Sequence, residues 1–395
     1  MSSINFHKIK LFLNSHFLLG AIYCSIFSLF RANYCYLIPS LGTSGKYCLS
    51  GYSDIRELFI TRNLIHQVYP YLSASNSFEY PPVIGIGNWL LSFLVPFEQA
   101  EQWFYIINAA LITSLFALVV KILNRTKPDY IYLIFISPAL ICVLYTNWDM
   151  WVVAPTLLAI YNFDKNSYTK SALFLGISIS TKFFPIVLLL PIFIILFRKN
   201  KILILGKYIL VTTVTWLLIN IPVMIISFDG WARFLTLNKN RGADLGSVYL
   251  SWQLLHIEIR EVNLLFVSIS ALFYLLSAIY MLKLETIPNL SQVSFLMVAI
   301  FTSTSKVYSP QYVIWSLPLA IIALINRKQT TTLLFWQLAE FLHFAALIAF
   351  FELRTNSNYE FVGEIYGLFS LLRVFAIWYF VFTLHASSQL SISKT

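Results

Sequence analysis

The residues with the clearest chemical potential lie in the polar stretch 31–102, which separates two strongly apolar segments. Asp54 is the first acidic residue of the chain, and the run YSDIRELF around it has the spacing of an amphipathic helix lying on a membrane. Asp often begins helices, so Asp54 is either a helix cap or a general base at the membrane surface. The stretch ends with the motif EYPPV at 79–83.

Two lysines interrupt later apolar segments beside a proline. Lys182 lies in TKFFP at 181–185, and Lys306 lies in KVYSP at 306–310. Placing a lysine at the centre of a bilayer costs about 3 kcal/mol on insertion scales. The simple structural interpretation is therefore that Lys182 lies near the headgroups. Two such lysines on one side of the membrane also indicate pairing with an anionic headgroup or phosphate.

Other polar groups allow a structural and a functional interpretation. Asp149, in NWD at 147–149, is either a turn residue between helices or part of a site. The stretch 228–262 carries basic residues on the side we assign to the exterior, so it is either a loop long enough to escape the positive-inside trend or an anion site. Glu340 and His343, one helical turn apart, predict a structural pair within the helix bundle.

Composition restricts the class of protein. Hydrophobic residues make up 58% of the 395 residues, charged residues 11%, and the mean hydropathy is +0.74. These values predict a polytopic membrane protein. The net charge of +10 comes from short basic clusters between apolar segments, which indicates membrane orientation and not nucleic-acid binding. Cys35 and Cys48 share the first outer loop, but their spacing leaves a disulfide undecided.

The apolar segments predict a single all-α membrane domain over residues 1–395. Segments long enough to cross, or nearly cross, a bilayer lie at 11–30, 103–123, 130–146, 150–163, 206–227, 263–282, 291–305, 312–326, 331–350 and 365–384. Basic clusters at both ends of 171–197 predict either a pair of short helices or a re-entrant hairpin, with Lys182 near its tip. Counted as two, this pair gives about 12 crossings with both termini inside, plus a juxtamembrane or re-entrant helix at 83–96.

Six ordered motifs resemble the GT-C superfamily of membrane glycosyltransferases, and more narrowly the actinobacterial polyprenol-phosphate-mannose-dependent mannosyltransferases, formerly a domain of unknown function. The motifs are Asp54, EYPPV at 79–83, NWD at 147–149, GISISTKFFPIVLLLP at 176–191, RGADLGSVYLSW at 241–252 and KVYSPQYVIWSLP at 306–318. Some relatives carry a His pair where this chain has Gln311-Tyr312, so the resemblance does not identify the residue that orients the base.

The resemblance implies a GT-C-like bundle in the plasma membrane with its active site on the extracytoplasmic side. It also implies a polyprenyl-phosphate sugar donor, typically mannose, and a glycolipid or cell-wall glycan acceptor, with no cofactor and no metal. Asp54 would deprotonate the acceptor in a single inverting displacement. Lys182, Lys306, Arg233 and Arg241 would hold the donor phosphate. Supporting or substrate-binding residues would be Glu79, Tyr80, Asp149, Asp244, Tyr308 and Gln311.

Four alternatives remain open at this stage. Arabinofuranosyl transfer from a decaprenyl-phosphate donor is the nearest rival, since the loops that select the sugar are not defined by sequence. A second carboxylate, Glu57 or Glu79, would permit a retaining mechanism. A non-enzymatic lipid-linked oligosaccharide flippase, or a scaffold subunit for another enzyme, would carry the same helices without catalysis.

Overall fold

The computed structural model describes residues 19–33, 52–72, 76–353 and 359–392, and all regular structure in these ranges is helical. Cys35 and Cys48, whose pairing the sequence leaves undecided, lie outside these ranges. The first residues of the predicted span 11–30 also lie outside them. The α-helices are α1 (19–33), α2 (Asp54–Thr61), α3 (Pro82–Ser92), α4 (Ala100–Thr126), α5 (Tyr132–Phe135), α6 (Pro138–Val143), α7 (Asp149–Asp164), α8 (Tyr168–Thr181), α9 (Leu189–Arg198), α10 (Ile202–Ile226), α11 (Phe228–Asn240), α12 (Val248–Leu254), α13 (Val262–Lys283), α14 (Leu290–Thr304), α15 (Val313–Ala323), α16 (Gln329–Leu353) and α17 (Tyr359–Ile392). Short 3₁₀ helices occupy Leu64–His66, Pro128–Tyr130, Phe184–Leu188 and Pro310–Tyr312.

Long apolar helices make this a membrane protein. Within the described ranges, five helices are long and apolar enough to cross a bilayer, namely α4, α10, α13, α16 and the part Glu360–Ala386 of α17. Leu203 of α10 is 91% exposed and Leu264 of α13 is 63% exposed, as expected of side chains that face lipid. The all-α membrane fold is thus confirmed, while about 12 crossings stays a prediction because the remaining apolar helices are shorter.

Prolines set the breaks between the shorter helices. The predicted pair within 171–197 is present: α8 ends at Thr181, Lys182 is extended, and α9 follows the 3₁₀ turn that contains Pro185. The predicted helix after the double proline is α3, whose first residue is Pro82. By contrast, the segment 130–146 is not one helix, because the chain breaks before α6, which begins at Pro138.

The two large predicted outer loops contain short helices. Residues 31–102 include α2 and α3, and residues 228–262 include α11 and α12. The helix cap of α2 is Ser53, whose Oγ accepts a hydrogen bond from the backbone N–H of Ile55. The helix-cap interpretation of Asp54 is therefore wrong, since Asp54 is the first residue inside the helix.

Hydrogen bonds between helix ends define the end of the bundle away from Asp54. Asp164, the last residue of α7, accepts from the backbone N–H groups of Leu290 (2.9 Å) and Ser291 (3.2 Å) at the start of α14. Arg198 at the end of α9 donates to the carbonyls of Met281 and Leu284 beside the end of α13. Because α7 starts at Asp149 and runs to Asp164, Asp149 lies at the opposite end.

A buried ionic network fixes α16 and α17 to the loops at that opposite end. Arg373 in α17 is fully buried, and its Nη1 lies 3.2 Å from Glu340 Oε2 and 3.0 Å from His343 Nδ1. Its Nη2 donates to the carbonyls of Gly246 and Tyr308. Glu340 and His343 therefore do not pair with each other as predicted; both contact Arg373, because a buried cation needs several partners.

Arg373→Leu should destabilise the protein by about 3–5 kcal/mol, because it leaves the buried Glu340 carboxylate without its cation. Thermal unfolding in detergent measures the effect. The matched control is Arg260→Leu, since the Arg260 side chain is 83% exposed in its pair with Glu258 and surface pairs contribute little. Equal melting temperatures for the two variants would contradict the assigned role.

Candidate active site

The start of α2 is fixed against the segment that precedes α7. The backbone N–H of Asp54 donates to the Thr146 carbonyl at 2.7 Å, and Ser53 Oγ donates to the Tyr145 carbonyl at 2.9 Å. Arg56 strengthens this docking, because its Nη2 donates to Asn33 Oδ1 at 2.6 Å and its guanidinium lies 4.2 Å from the Tyr105 ring centroid. The position of Asp54 relative to Asp149 is therefore set by several independent contacts.

Two tyrosine hydroxyls hold the Asp54 carboxylate. Tyr52 donates to Oδ1 at 2.7 Å and Tyr80 donates to Oδ2 at 3.0 Å. Asp54 is partly buried. Tyr80 is itself oriented, since its carbonyl accepts from the Tyr71 hydroxyl at 2.6 Å and its ring meets Trp148 edge-on at 5.5 Å.

The pKa of Asp54 is raised above its ordinary value because burial removes water from the carboxylate. The hydrogen bonds from Tyr52 and Tyr80 and the charge of Lys182 all act in the opposite direction, and the nearby Asp149 carboxylate raises the pKa further. A carboxylate with a perturbed pKa beside a charged partner is a candidate for a functional site.

Lys182 lies beside this carboxylate and pairs with Asp149. Its Nζ contacts Asp149 Oδ1, and it lies 5.3 Å from the ring centroid of Tyr80 and 4.6 Å from that of Trp315. Asp149 is fully buried as the first residue of α7. The helix break at Lys182 and the α7 start thus bring a cation and two carboxylates, Asp54 and Asp149, into one cluster.

Three aromatic rings form one wall of the cluster. The Trp315 ring stacks on Tyr312 with centroids 3.7 Å apart and on Phe184 with centroids 4.2 Å apart. Lys182 also lies 5.7 Å from the Tyr312 centroid. The 3₁₀ turns at Phe184–Leu188 and Pro310–Tyr312 supply the two outer rings and α15 supplies Trp315, so both proline-containing breaks face the same place.

Lys306 is occupied by protein partners. Its Nζ donates to the carbonyls of Asn238 (2.8 Å) and Arg241 (2.6 Å) and to Asn263 Oδ1 (2.6 Å). The residue is 6% exposed, and burial together with the charge of Arg241 lowers its pKa. It joins the end of α11 to the start of α13, and these contacts do not bring it into the Asp54 cluster.

Arg241 and Asp244 form a partly exposed ion pair of 2.7 Å on the loop after α11. This loop adjoins the cluster, because Asp244 N–H donates to the Lys306 carbonyl and Tyr308 N–H donates to the Leu245 carbonyl. Tyr312 lies within electrostatic range of Asp149, Arg241 and Asp244. Arg233 is half-buried in α11, next to Phe234, whose ring lies 6.5 Å from that of Phe183.

The remaining predicted residues have supporting contacts. Glu79 forms a two-point ion pair with Arg62, which also donates to Asn76. The Tyr308 hydroxyl donates to Glu340 at 2.7 Å, so it belongs to the Arg373 network. Gln311 is partly exposed in the 3₁₀ turn before Tyr312.

Four residues of this region were not predicted from sequence: Tyr52, Tyr312, Trp315 and Arg373. Tyr312 and Trp315 lie inside the motif KVYSPQYVIWSLP, where interfacial aromatics are unremarkable. The sequence did contain a signal for Arg373, because Arg373 is a lone charge within the apolar segment 365–384 and such charges usually have a partner inside the bundle. In the described residues, no group of three or more His, Cys, Asp or Glu side chains is placed to hold a metal ion.

Comparison with known proteins gives one family match. The model of glycosyltransferase family 87 matches residues 78–310, which is more than half of the 395-residue chain. The match covers Tyr80, Asp149, Lys182 and Arg241, and it ends before Tyr312. No curated protein matches the chain.

Tyr80→Phe should raise the pH at which Asp54 titrates by about one unit, because a hydrogen bond to the carboxylate favours its charged form. Infrared spectra of the carboxyl C=O band, taken as the difference from Asp54→Asn, follow this titration. Tyr379→Phe, on the exposed side of α17, is the matched control. An unchanged midpoint in Tyr80→Phe would show that the Tyr80 contact does not tune the carboxylate.

Proposed function

The chain belongs to glycosyltransferase family 87, and from this premise we propose that it transfers mannose from a polyprenyl-phosphate donor to a cell-envelope glycolipid or glycan at the outer face of the plasma membrane. The observation that carries the proposal is the Asp54 carboxylate held by Tyr52 and Tyr80 beside Lys182. A base next to a cation is the minimum that a single displacement at a phosphate-linked sugar requires.

In the proposed reaction Asp54 accepts the proton of an acceptor hydroxyl. The hydroxyl oxygen forms the new bond to the anomeric carbon while the bond from that carbon to the phosphate oxygen breaks. The electron pair leaves with the polyprenyl phosphate, and configuration at the anomeric carbon is inverted. Tyr52 and Tyr80 direct the carboxylate, because each of them donates to one of its oxygens.

The donor phosphate would lie against Lys182 and Arg241. Lys182 is a cation within the cluster, and Arg241 is 52% exposed and able to turn from Asp244 towards a phosphate. Lys306 receives a different role in this proposal, since its Nζ already meets carbonyls of α11 and its loop. It positions the loop that carries Arg241. Arg233 stays a candidate for the phosphate through its place on α11.

A membrane-embedded donor suits this location. Polyprenyl chains partition into the bilayer and place their phosphate at headgroup depth, and the cluster lies at one end of the helix bundle beside the short helices α2 and α11. Phe183 is 40% exposed beside Lys182 and offers an apolar contact for a lipid chain. An acceptor that arrives from water can reach Asp54, which is only partly buried.

Asp54→Asn should lower the rate of transfer from radiolabelled polyprenyl-phosphate mannose by at least about 100-fold, because the amide cannot accept the acceptor proton. Asp54→Ala should have the same effect. Membranes are incubated with the labelled donor, and the labelled product is identified. Asp129→Asn, in the 3₁₀ turn after α4, is the matched control and should keep full activity.

Full turnover by the Asp54 variants would reject Asp54 as the base. Transport of the labelled lipid in proteoliposomes without any sugar transfer would instead support the flippase alternative. A donor panel containing polyprenyl-phosphate arabinofuranose decides between the two sugars.

The outer location of the site has an independent test. Lys239 at the end of α11 and Lys328 before α16 are both exposed, and the helix directions place them at opposite ends of the bundle. In a background without the four native cysteines, Lys239→Cys should react with an impermeant maleimide from outside intact cells. Lys328→Cys should react only after permeabilisation. The reverse labelling pattern would overturn the orientation.

A further inference from the structure

Three buried polar atoms around Lys182 lack a protein partner within the described residues. They are Trp315 Nε1, Asp149 Oδ2 and Asn147 Nδ2. Trp315 is 2% exposed, and Asp149 and Asn147 are fully buried. Buried donors and acceptors are nearly always satisfied, because an unmade hydrogen bond there costs free energy. Three such atoms in one cluster indicate that a polar ligand completes them.

Contacts within the cluster hold these atoms near one another. The other oxygen of Asp149 contacts Lys182 Nζ, and the Asn147 Oδ1 accepts from the Asp149 backbone N–H at 3.0 Å. Lys182 Nζ in turn lies 4.6 Å from the Trp315 ring centroid. Asp149 and Trp315 therefore both contact one cation, and the Asn147 amide is hydrogen-bonded to the backbone of Asp149.

The indole presents its edge and not its faces. Tyr312 and Phe184 both stack within 4.2 Å of the Trp315 centroid, and two rings so close to one centroid cannot share a face. Tyr312 and Phe184 therefore pack against the indole from its two sides, the Lys182 ammonium lies near the ring, and the indole N–H is left without a hydrogen-bond partner in the described residues. Tyr312, partly exposed at one end of the stack, keeps a ring face for apolar contact.

We propose that Trp315 and Asp149 bind hydroxyl groups of the transferred sugar and thereby determine donor specificity. This inference rests on the proposed function and adds the residues that recognise the sugar. A phosphate would satisfy donors alone, whereas a hydroxyl both accepts from an N–H and donates to a carboxylate oxygen. The mixture of two donors and one acceptor fits a polyhydroxylated ring beside the Tyr312 face.

The variant Trp315→Phe tests the proposal, because it keeps one aromatic ring in the stack and removes the five-membered ring that carries the N–H. Affinities are measured for polyprenyl phosphate and for its mannosyl, monodeoxymannosyl and arabinofuranosyl esters. The wild type should bind one glycosyl ester more tightly than the bare lipid phosphate. Trp315→Phe should reduce that preference about three- to tenfold, the value of one hydrogen bond.

The control is Trp151→Phe, since Trp151 Nε1 is also buried without a protein partner but lies on α7 against Gly87. It should keep the wild-type preference. Asp149→Asn is the second variant and should also reduce the preference for the glycosyl ester. In the monodeoxy series, the wild type should bind one ester most weakly, because that ester lacks a recognised hydroxyl. Trp315→Phe should bind this ester and the full mannosyl ester equally well. A purely structural role of Trp315 would not produce this result.

The inference would be overturned if Trp315→Phe kept the wild-type preference for the glycosyl ester and the wild-type loss of affinity for the monodeoxy ester. It would also be overturned if the wild type bound bare lipid phosphate and its glycosyl esters equally. The proposed function fails differently. If the wild type binds a glycosyl ester with the predicted dependence on Trp315 but transfers no sugar, the specificity site stands and the transferase mechanism falls.

Discussion

A charge placed inside an apolar bundle must have a partner, and this constraint organises the protein. Lys182 lies at the break between the short helices α8 and α9, and its ammonium group contacts Asp149 at the start of α7. Removing the Lys182 charge would leave the buried Asp149 carboxylate without its cation. The ion pair therefore fixes the helix break and the start of α7 against each other, and Asp54 is presented to this pair by α2.

The same constraint explains the other buried cations. Arg373 and Lys306 each donate to several backbone carbonyls, and together they bind the loops 241–247 and 305–309 to the helices. These loops lead to Arg241 and to the Tyr312–Trp315 stack. Two cations thus satisfy carbonyl groups of irregular backbone between the helices of the bundle.

These contacts divide the four cations into two kinds. Lys306 and Arg373 are each held by several protein groups and have a structural role. Lys182 and Arg241 each pair with one carboxylate, and Arg241 is half exposed, so these two retain capacity for an anionic ligand. The division is a matter of coordination by neighbours and not of residue type, and it changes which lysine is assigned to the donor phosphate.

The sequence by itself determined the membrane class, most helices and the proline breaks, because these depend on local apolar length and on backbone restrictions. It also indicated Asp54 and Lys182 as chemically capable residues. Only the tertiary structure decided that Asp54 receives hydrogen bonds from Tyr52 and Tyr80, and that Lys306 is occupied by carbonyls. The Tyr80 and Lys306 pairings join residues 26 and 68 positions apart in the chain, so no local pattern specifies them. Arg373 illustrates the limit, since its lone charge in 365–384 was visible but its partners were not.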